Sequence, residues 1–134
     1  MIQEAMKIVL VIDDDPMMIE LLEDFLESHG YHVIPAASGQ EALAKAEISK
    51  PDILILDVMM PGMDGYETCR HLKQQARLSG VPIIMFTAST DPKFHERAFA
   101  VGADFCLNKP FEMDRLLNVV NLAAAKKVKP AVTP

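Results

Sequence analysis

Ile53-Leu54-Ile55-Leu56-Asp57-Val58-Met59-Met60-Pro61-Gly62-Met63-Asp64-Gly65 is a short apolar run that stops on a carboxylate and opens into a turn. A continuous apolar run of this length, bounded by turn residues, is the pattern of a strand buried on both faces. Three further runs end in a similar way. Lys7-Ile8-Val9-Leu10-Val11-Ile12 stops at Asp13-Asp14-Asp15, Val81-Pro82-Ile83-Ile84-Met85-Phe86 stops at Thr87, and Phe105-Cys106-Leu107-Asn108 stops at Lys109. Open parallel sheets bind ligands just outside the carboxyl ends of their strands. Four strand ends would therefore bring carboxylates, a hydroxyl and an ammonium to one rim.

Strands are expected at 7–12, 31–35, 53–57, 81–86 and 104–108, each followed by a helix-length segment. The first helix starts at Pro16 with Asp15 as its N-cap. It places Met17, Met18, Leu21, Leu22, Phe25 and Leu26 on one apolar face, with both methionines read as core, and stops at Gly30. The second helix, 40–48, rests on Ala42, Leu43 and Ala46. The third, 66–76, is capped by Asp64 and turns Tyr66, Cys69, Leu72 and Ala76 inward. The fourth, 92–101, has a thin stripe of Phe94, Ala98 and Phe99, and the fifth, 113–126, buries Met113, Leu116, Leu117, Val120 and Ala124. Five βα units in succession predict an α/β fold, a five-stranded parallel sheet with helices on both faces. The doubly wound, flavodoxin-like strand order 2-1-3-4-5 fits five strands and makes strands 1 and 3 neighbours at the switch point. Those two carry the acidic run and Asp57. Strand 2 then lies at the edge, away from the site, which agrees with the plain Pro35-Ala36-Ala37-Ser38 that follows it.

The 134 residues are 50% hydrophobic and carry a net charge of −6. That length suits one domain with a real core, residues 1–126, leaving 127–134 as a C-terminal tail or linker. The apolar fraction argues against disorder. An acidic chain with no basic stripe is not expected to contact nucleic acid directly through this segment. Lys126-Lys127-Val128-Lys129 reads as a complement to a helix C-terminus. No apolar run is long enough to cross a bilayer, and no leader pattern is visible, so no membrane contact is expected. Two lone thiols, Cys69 and Cys106, suit a reducing compartment, and the expected location is cytoplasmic.

Several carboxylates on one rim repel one another and usually need a cation to stay ionised together. Hard oxygen ligands suit Mg²⁺, which takes one or two carboxylates and keeps several waters. Asp13, Asp14 and Asp57 are the candidate ligands, with the backbone carbonyl of Met59. A carboxylate beside such an ion can attack phosphorus and form an aspartyl phosphate. Lys109 would pair with one phosphoryl oxygen as a mobile point charge and Thr87 would hydrogen-bond another, while Ala88 leaves room for the group. Taken singly, the members have plainer readings: an acidic loop with a helix cap, a strand-end threonine, a surface lysine. Their conjunction at four strand ends favours the chemical one.

Val11-Ile12-Asp13-Asp14-Asp15-Pro16, Leu56 through Gly65, Phe86-Thr87-Ala88 and Asn108-Lys109-Pro110-Phe111 together resemble the receiver domain of two-component response regulators, over about residues 6–126. The resemblance implies that Asp57 is the phosphoacceptor, that Asp13 and Asp14 help hold Mg²⁺, and that Thr87 and Lys109 read the phosphoryl group. It implies a signalling module rather than a turnover enzyme. The donor would be a phosphohistidine on a sensor histidine kinase or phosphotransfer protein. The tail after residue 126 could lead to an output domain or simply end, and a homodimer could form through the face of helix 4, strand 5 and helix 5. It also implies a cis Lys109-Pro110 bond. Two positions depart from the pattern. Cys106 stands where such receivers carry a Tyr or Phe that turns with the threonine, and Phe105 points to the opposite sheet face by strand alternation. Phe105 also replaces an acidic residue that winged-helix regulators use in a dimer salt bridge.

Two other classes fit less well. An aspartyl-nucleophile hydrolase of the haloacid dehalogenase type wants a second Asp two residues after the nucleophile, where this chain has Met59. A flavin carrier wants a Ser/Thr/Gly-rich loop after strand 1, where Asp13-Asp14-Asp15 would repel a phosphate.

Overall fold

The computed structural model of the chain describes residues 6–128. Residues 129–134 of the expected tail, and the side chains of the basic cluster, lie outside the described residues. The elements alternate strictly: β1 (Lys7–Ile12), α1 (Pro16–Glu27), β2 (Tyr31–Ala36), α2 (Gly39–Ser49), β3 (Ile53–Asp57), α3 (Gly65–Gln74), β4 (Ile83–Thr87), α4 (Phe94–Ala100), β5 (Phe105–Asn108) and α5 (Met113–Val128). All strand pairs are parallel and the order is β2-β1-β3-β4-β5. The expected topology holds, with β2 and β5 at the edges.

Strand alternation sorts the core into two layers. Leu10, Ile12, Leu54, Leu56 and Met85 meet Ala42 and Ala46 of α2, Cys69 and Leu72 of α3, and Phe94 and Ala98 of α4. Val9, Val11, Ile53, Ile55, Ile84 and Phe86 meet Leu22 and Leu26 of α1 and Leu116, Val120 and Ala123 of α5. Every residue of β3 and of β4 is buried. Each such aliphatic side chain contributes roughly 1.5–3 kcal/mol on burial. Those two fully buried strands carry Asp57 and Thr87 at their ends.

The helix ends follow local chemistry. The Asp15 side chain accepts from Met17 N–H at 3.0 Å and the Asp64 side chain from Glu67 N–H at 2.9 Å. Gly30 takes φ +92° just past α1, a conformation open to glycine. Ser38 caps α2, its Oγ accepting from Glu41 N–H at 3.1 Å, and Glu41 Oε1 accepts from the N–H of Ala37, the residue before the cap, at 2.8 Å. The stretch after β2 is thus plain chemically but does structural work.

Several expectations about helix faces need correction. Met17 is 80% exposed and Leu21 50% exposed, so the inner edge of α1 is Leu22 and Leu26, with Met18 only half-buried. The cause is the α1 stripe being wider than the sheet edge it covers. Ala76 is exposed because α3 ends at Gln74 and a 3₁₀ turn, Ala76–Leu78, inserts Leu78 instead. The α4 helix is one short piece starting at Phe94, and Phe99 is 51% exposed on its outer side. In α5 the deepest small residue is Ala123, with Ala124 half-buried. His29, His32, His71 and His95 are all exposed.

Candidate functional site

At the carboxyl rim, Asp57 is the last residue of β3 and Asp13 follows β1 directly. The sheet pairing extends one step to fix Asp13, whose N–H donates to Ala36 O at 3.0 Å. Asp13 is fully buried and Asp57 4% exposed, whereas Asp14 faces solvent. Carboxylate oxygens of Asp13, Asp14 and Asp57 all lie within 4.8 Å of one another. Asp13 Oδ1 accepts from Asp15 N–H at 2.9 Å. Asp57 accepts from the Met59 N–H, yet its Oδ1 is buried with no hydrogen-bond partner. A buried acceptor without a hydrogen bond costs about 1–3 kcal/mol, and the cation nearest this oxygen is Lys109 Nζ at 3.6 Å.

The cation of the site is Lys109. Its Nζ lies 3.4 Å from Asp13 Oδ2, 3.6 Å from Asp57 Oδ1 and 4.6 Å from the centre of the Phe86 ring. Its backbone N–H donates to Thr87 O at 2.8 Å, which ties it to β4, and the Lys109-Pro110 bond is cis. One ammonium does not balance two buried carboxylates. Burial, then the Asp13 charge, push the Asp57 carboxyl up to about 7, against the pull of Lys109 and the Met59 N–H. Burial also raises Asp13, with the Asp15 N–H and Lys109 opposing. The two titrate as a pair.

Thr87 is fully buried at the end of β4. Its Oγ1 accepts from Ser89 N–H at 3.0 Å, Ser89 Oγ accepts from Asp91 N–H at 3.1 Å, and Asp91 Oδ1 accepts from Lys93 N–H at 2.9 Å. Asp91 Oδ2 then meets Arg97 Nη1 at 3.2 Å, and the Arg97 guanidinium stacks 4.2 Å above the Tyr66 ring. This staircase runs from the rim to α4 and back to the first turn of α3. It was missed in the sequence, where only the spacing of short polar residues at 87, 89 and 91 signals it. Val58, Met59, Asp64, Tyr66, Ser89 and Arg97 border a cavity of about 460 Å³ beside it.

Gly65 was also missed. A Cβ there would sit 2.4 Å from Asp57 O and 2.6 Å from Val58 Cα, and Gly65 N–H donates to Val58 O at 2.8 Å. The start of α3 is therefore pressed against the backbone that aims Asp57. Gly65→Ala is expected to cost about 2–3 kcal/mol by overpacking backbone against backbone. A urea midpoint equal to the parent's would show that this contact yields freely.

Cys106 packs toward the α2–α4 layer and Phe105 toward the α5 layer, as alternation required. No aromatic ring from β5 therefore stands behind Thr87. Burial pushes the Cys106 thiol up to about 11, so it is a neutral packing group. Among the described residues, no helix is long and apolar enough to cross a membrane.

Residues 9–121 match the family model of the response regulator receiver domain. The chain is 45% identical over 105 residues to the alkaline phosphatase synthesis transcriptional regulatory protein PhoP of Bacillus subtilis, covering 78% of this chain and 43% of that protein. It is 34% identical over 120 residues to protein PilH of Pseudomonas aeruginosa, covering 87% of this chain and 97% of that one. The solved structure of chemotaxis protein CheY4 of Vibrio cholerae superposes with a TM-score of 0.85 at 38% identity, covering 89% of this chain and 99% of that one. The chain thus spans less than half the length of the PhoP relative and nearly all of the PilH and CheY4 relatives. With an acidic pocket of Asp13, Asp14 and Asp57 at its rim, the chain belongs to the response regulator receiver domains, signalling modules of two-component systems rather than enzymes.

Proposed function

We propose that Asp57 is the phosphoacceptor of this receiver. The observation that carries this reading is its buried Oδ1, which lacks a hydrogen bond and lies 3.6 Å from Lys109 Nζ inside the carboxylate cluster. In the transfer, an Asp57 carboxylate oxygen bonds to phosphorus as the phosphorus–nitrogen bond of a phosphohistidine breaks, and the leaving imidazole nitrogen keeps the electron pair and takes a proton from water. Lys109 offsets charge on one phosphoryl oxygen and Thr87 donates its hydroxyl to another, so the work is mostly positioning and charge balance.

The donor set fits Mg²⁺: hard oxygens, two of them buried and mutually repelling, with one orphaned acceptor. Asp13, Asp14, Asp57 and the Met59 carbonyl would hold the ion, which would supply positive charge beside the transferring group. Incubation with acetyl phosphate and Mg²⁺ is expected to add one phosphoryl mass to the intact protein. Equal labelling in excess EDTA would overturn the metal requirement.

The physiological donor in this reading is a sensor histidine kinase or phosphotransfer protein. Residues 1–126 form the signalling unit, and the output lies either in a domain after it, as the name of the transcriptional regulatory relative PhoP suggests, or in a separate partner. Self-association would use α4, β5 and α5, where Phe99 and Leu122 are each at least half exposed.

The staircase supplies the switch that Cys106 cannot. When the Thr87 hydroxyl turns to a phosphoryl oxygen, the Ser89, Asp91 and Arg97 contacts lose their anchor in sequence. Coupling of about 1–3 kcal/mol suffices to shift α4. With beryllofluoride, a phosphoryl mimic, amide shifts are expected to run through residues 87–101 and 104–112 and to reach Tyr66. Changes confined to residues touching the mimic would exclude this route.

A further inference from the structure

We infer that Phe86 is a positioning residue for phosphoryl transfer: its ring face is the seat that holds the Lys109 ammonium beside Asp57. The inference rests on the reading of Asp57 as phosphoacceptor.

Lysine has a flexible four-carbon stem, and neither of its carboxylate contacts here is tight. Lys109 Nζ donates to Asp13 Oδ2 at 3.4 Å and lies 3.6 Å from Asp57 Oδ1, both longer than the 2.7–2.9 Å or so of a strong charge-assisted hydrogen bond. What else locates the ammonium is the Phe86 ring, 4.6 Å from Nζ to the ring centre. The negative face of an aromatic ring attracts a cation, more so where water is excluded. The Lys109 side chain is only 18% exposed. The seat itself is rigid. Phe86 is fully buried, and the Phe111 ring meets it edge-on at 5.8 Å and 69°. Lys109 is thus referenced twice to β4, by its head to Phe86 and by its N–H to the carbonyl of Thr87.

A ring face suits this task for a chemical reason. It attracts the charge but accepts no strong, directed hydrogen bond, so the ammonium donors stay available to an oxygen at Asp57. A carboxylate in that place would fix the lysine and add a third buried negative charge. An aliphatic side chain would fill the space and leave the ammonium free to swing. The ring's attraction also persists whatever the two carboxylates bind.

The test must remove the attraction and keep the shape. Mono-, tri- and pentafluorophenylalanine at position 86 progressively weaken the negative face in the full chain. The rate of Asp57 labelling by acetyl phosphate with Mg²⁺ is expected to fall stepwise, by about threefold to tenfold across the series. The same series in a Lys109→Met background controls for packing and is expected to be flat. A flat series in the parent, or an equal slope in Lys109→Met, overturns the inference. A second readout needs no phosphodonor: the Lys109 Cε protons should be ring-shifted upfield in the parent and return toward ordinary positions in Phe86→Leu. Unshifted protons in the parent also overturn it. Failure of the functional reading shows separately, as no mass gain in the parent at any donor concentration, and it takes the positioning role with it.

Discussion

Asp57→Asn is expected to end phosphoryl uptake and, in the absence of divalent cations, to make the protein more stable at neutral to alkaline pH. Loss of labelling follows from removing the attacking oxygen, and should exceed about a hundredfold in rate, roughly 2.7 kcal/mol or more of barrier. The gain in stability follows from the site's electrostatics. Burial first, and the Asp13 charge second, raise the folded-state Asp57 carboxyl from 3.8 to about 7. Between those values the folded state binds more protons than the unfolded chain, so the parent loses stability as pH rises through that window. Below about pH 4 both states are protonated at this position, and parent and variant should nearly coincide. Above about pH 7 the full penalty stands, and Asn should be favoured by on the order of 2 kcal/mol, shared with Asp13 because the pair titrates together. Mg²⁺ should then stabilise the parent by about 2.7 kcal/mol at a hundredfold excess over its dissociation constant, and the variant by less. Urea denaturation at several pH values, with and without Mg²⁺, measures all of this. A variant less stable than the parent at about pH 8 without metal would show that Lys109 already balances the buried charges.

The same site explains what could be read in the sequence and what could not. Asp13, Asp57, Thr87 and Lys109 were legible because each ends an apolar run, and a strand end is a one-dimensional feature. The parallel topology then brings those ends to one rim. Gly65 was not legible as a site residue, because its role lies in the space between α3 and the Asp57 carbonyl. Tyr66 and Arg97 belong to different helices and meet only through the fold, so no spacing announces them. Phe86 reads as one more core residue of β4 until Lys109 is placed above it. The helix faces erred for a related reason: periodicity gives a stripe, whereas burial depends on the width of the surface beneath. Met17 and Phe99 lie on the stripe but beyond that surface.

The lifetime of the phosphorylated state is expected to be long, and to shorten about tenfold in Met59→Asn, equivalent to about 1.4 kcal/mol of barrier. Hydrolysis needs a water held in line with the Asp57–phosphorus bond. Met59 and Ser89 stand two residues beyond Asp57 and Thr87, and both lie on the wall of the 460 Å³ cavity through which such a water would come. Met59 is 59% exposed, so its side chain is free to lie over the opening while its N–H stays bonded to Asp57. A thioether accepts only weakly and donates nothing, so it cannot orient a water. Its flexible chain can, however, cover a phosphoryl group. Ser89 is short, and its Oγ is already engaged as acceptor for the Asp91 N–H, which leaves it poorly placed to recruit a water without breaking the staircase. An Asn side chain at position 59 would offer both a donor and an acceptor at the same opening. Because the backbone N–H of residue 59 is retained, the substitution should leave the uptake rate within about twofold and act on decay alone, which separates water positioning from general damage. Phosphate release followed after removal of the donor gives both lifetimes. Equal decay in the parent and Met59→Asn would mean that the attacking water is held by Ser89 or by backbone, and that Met59 does not shield the bond.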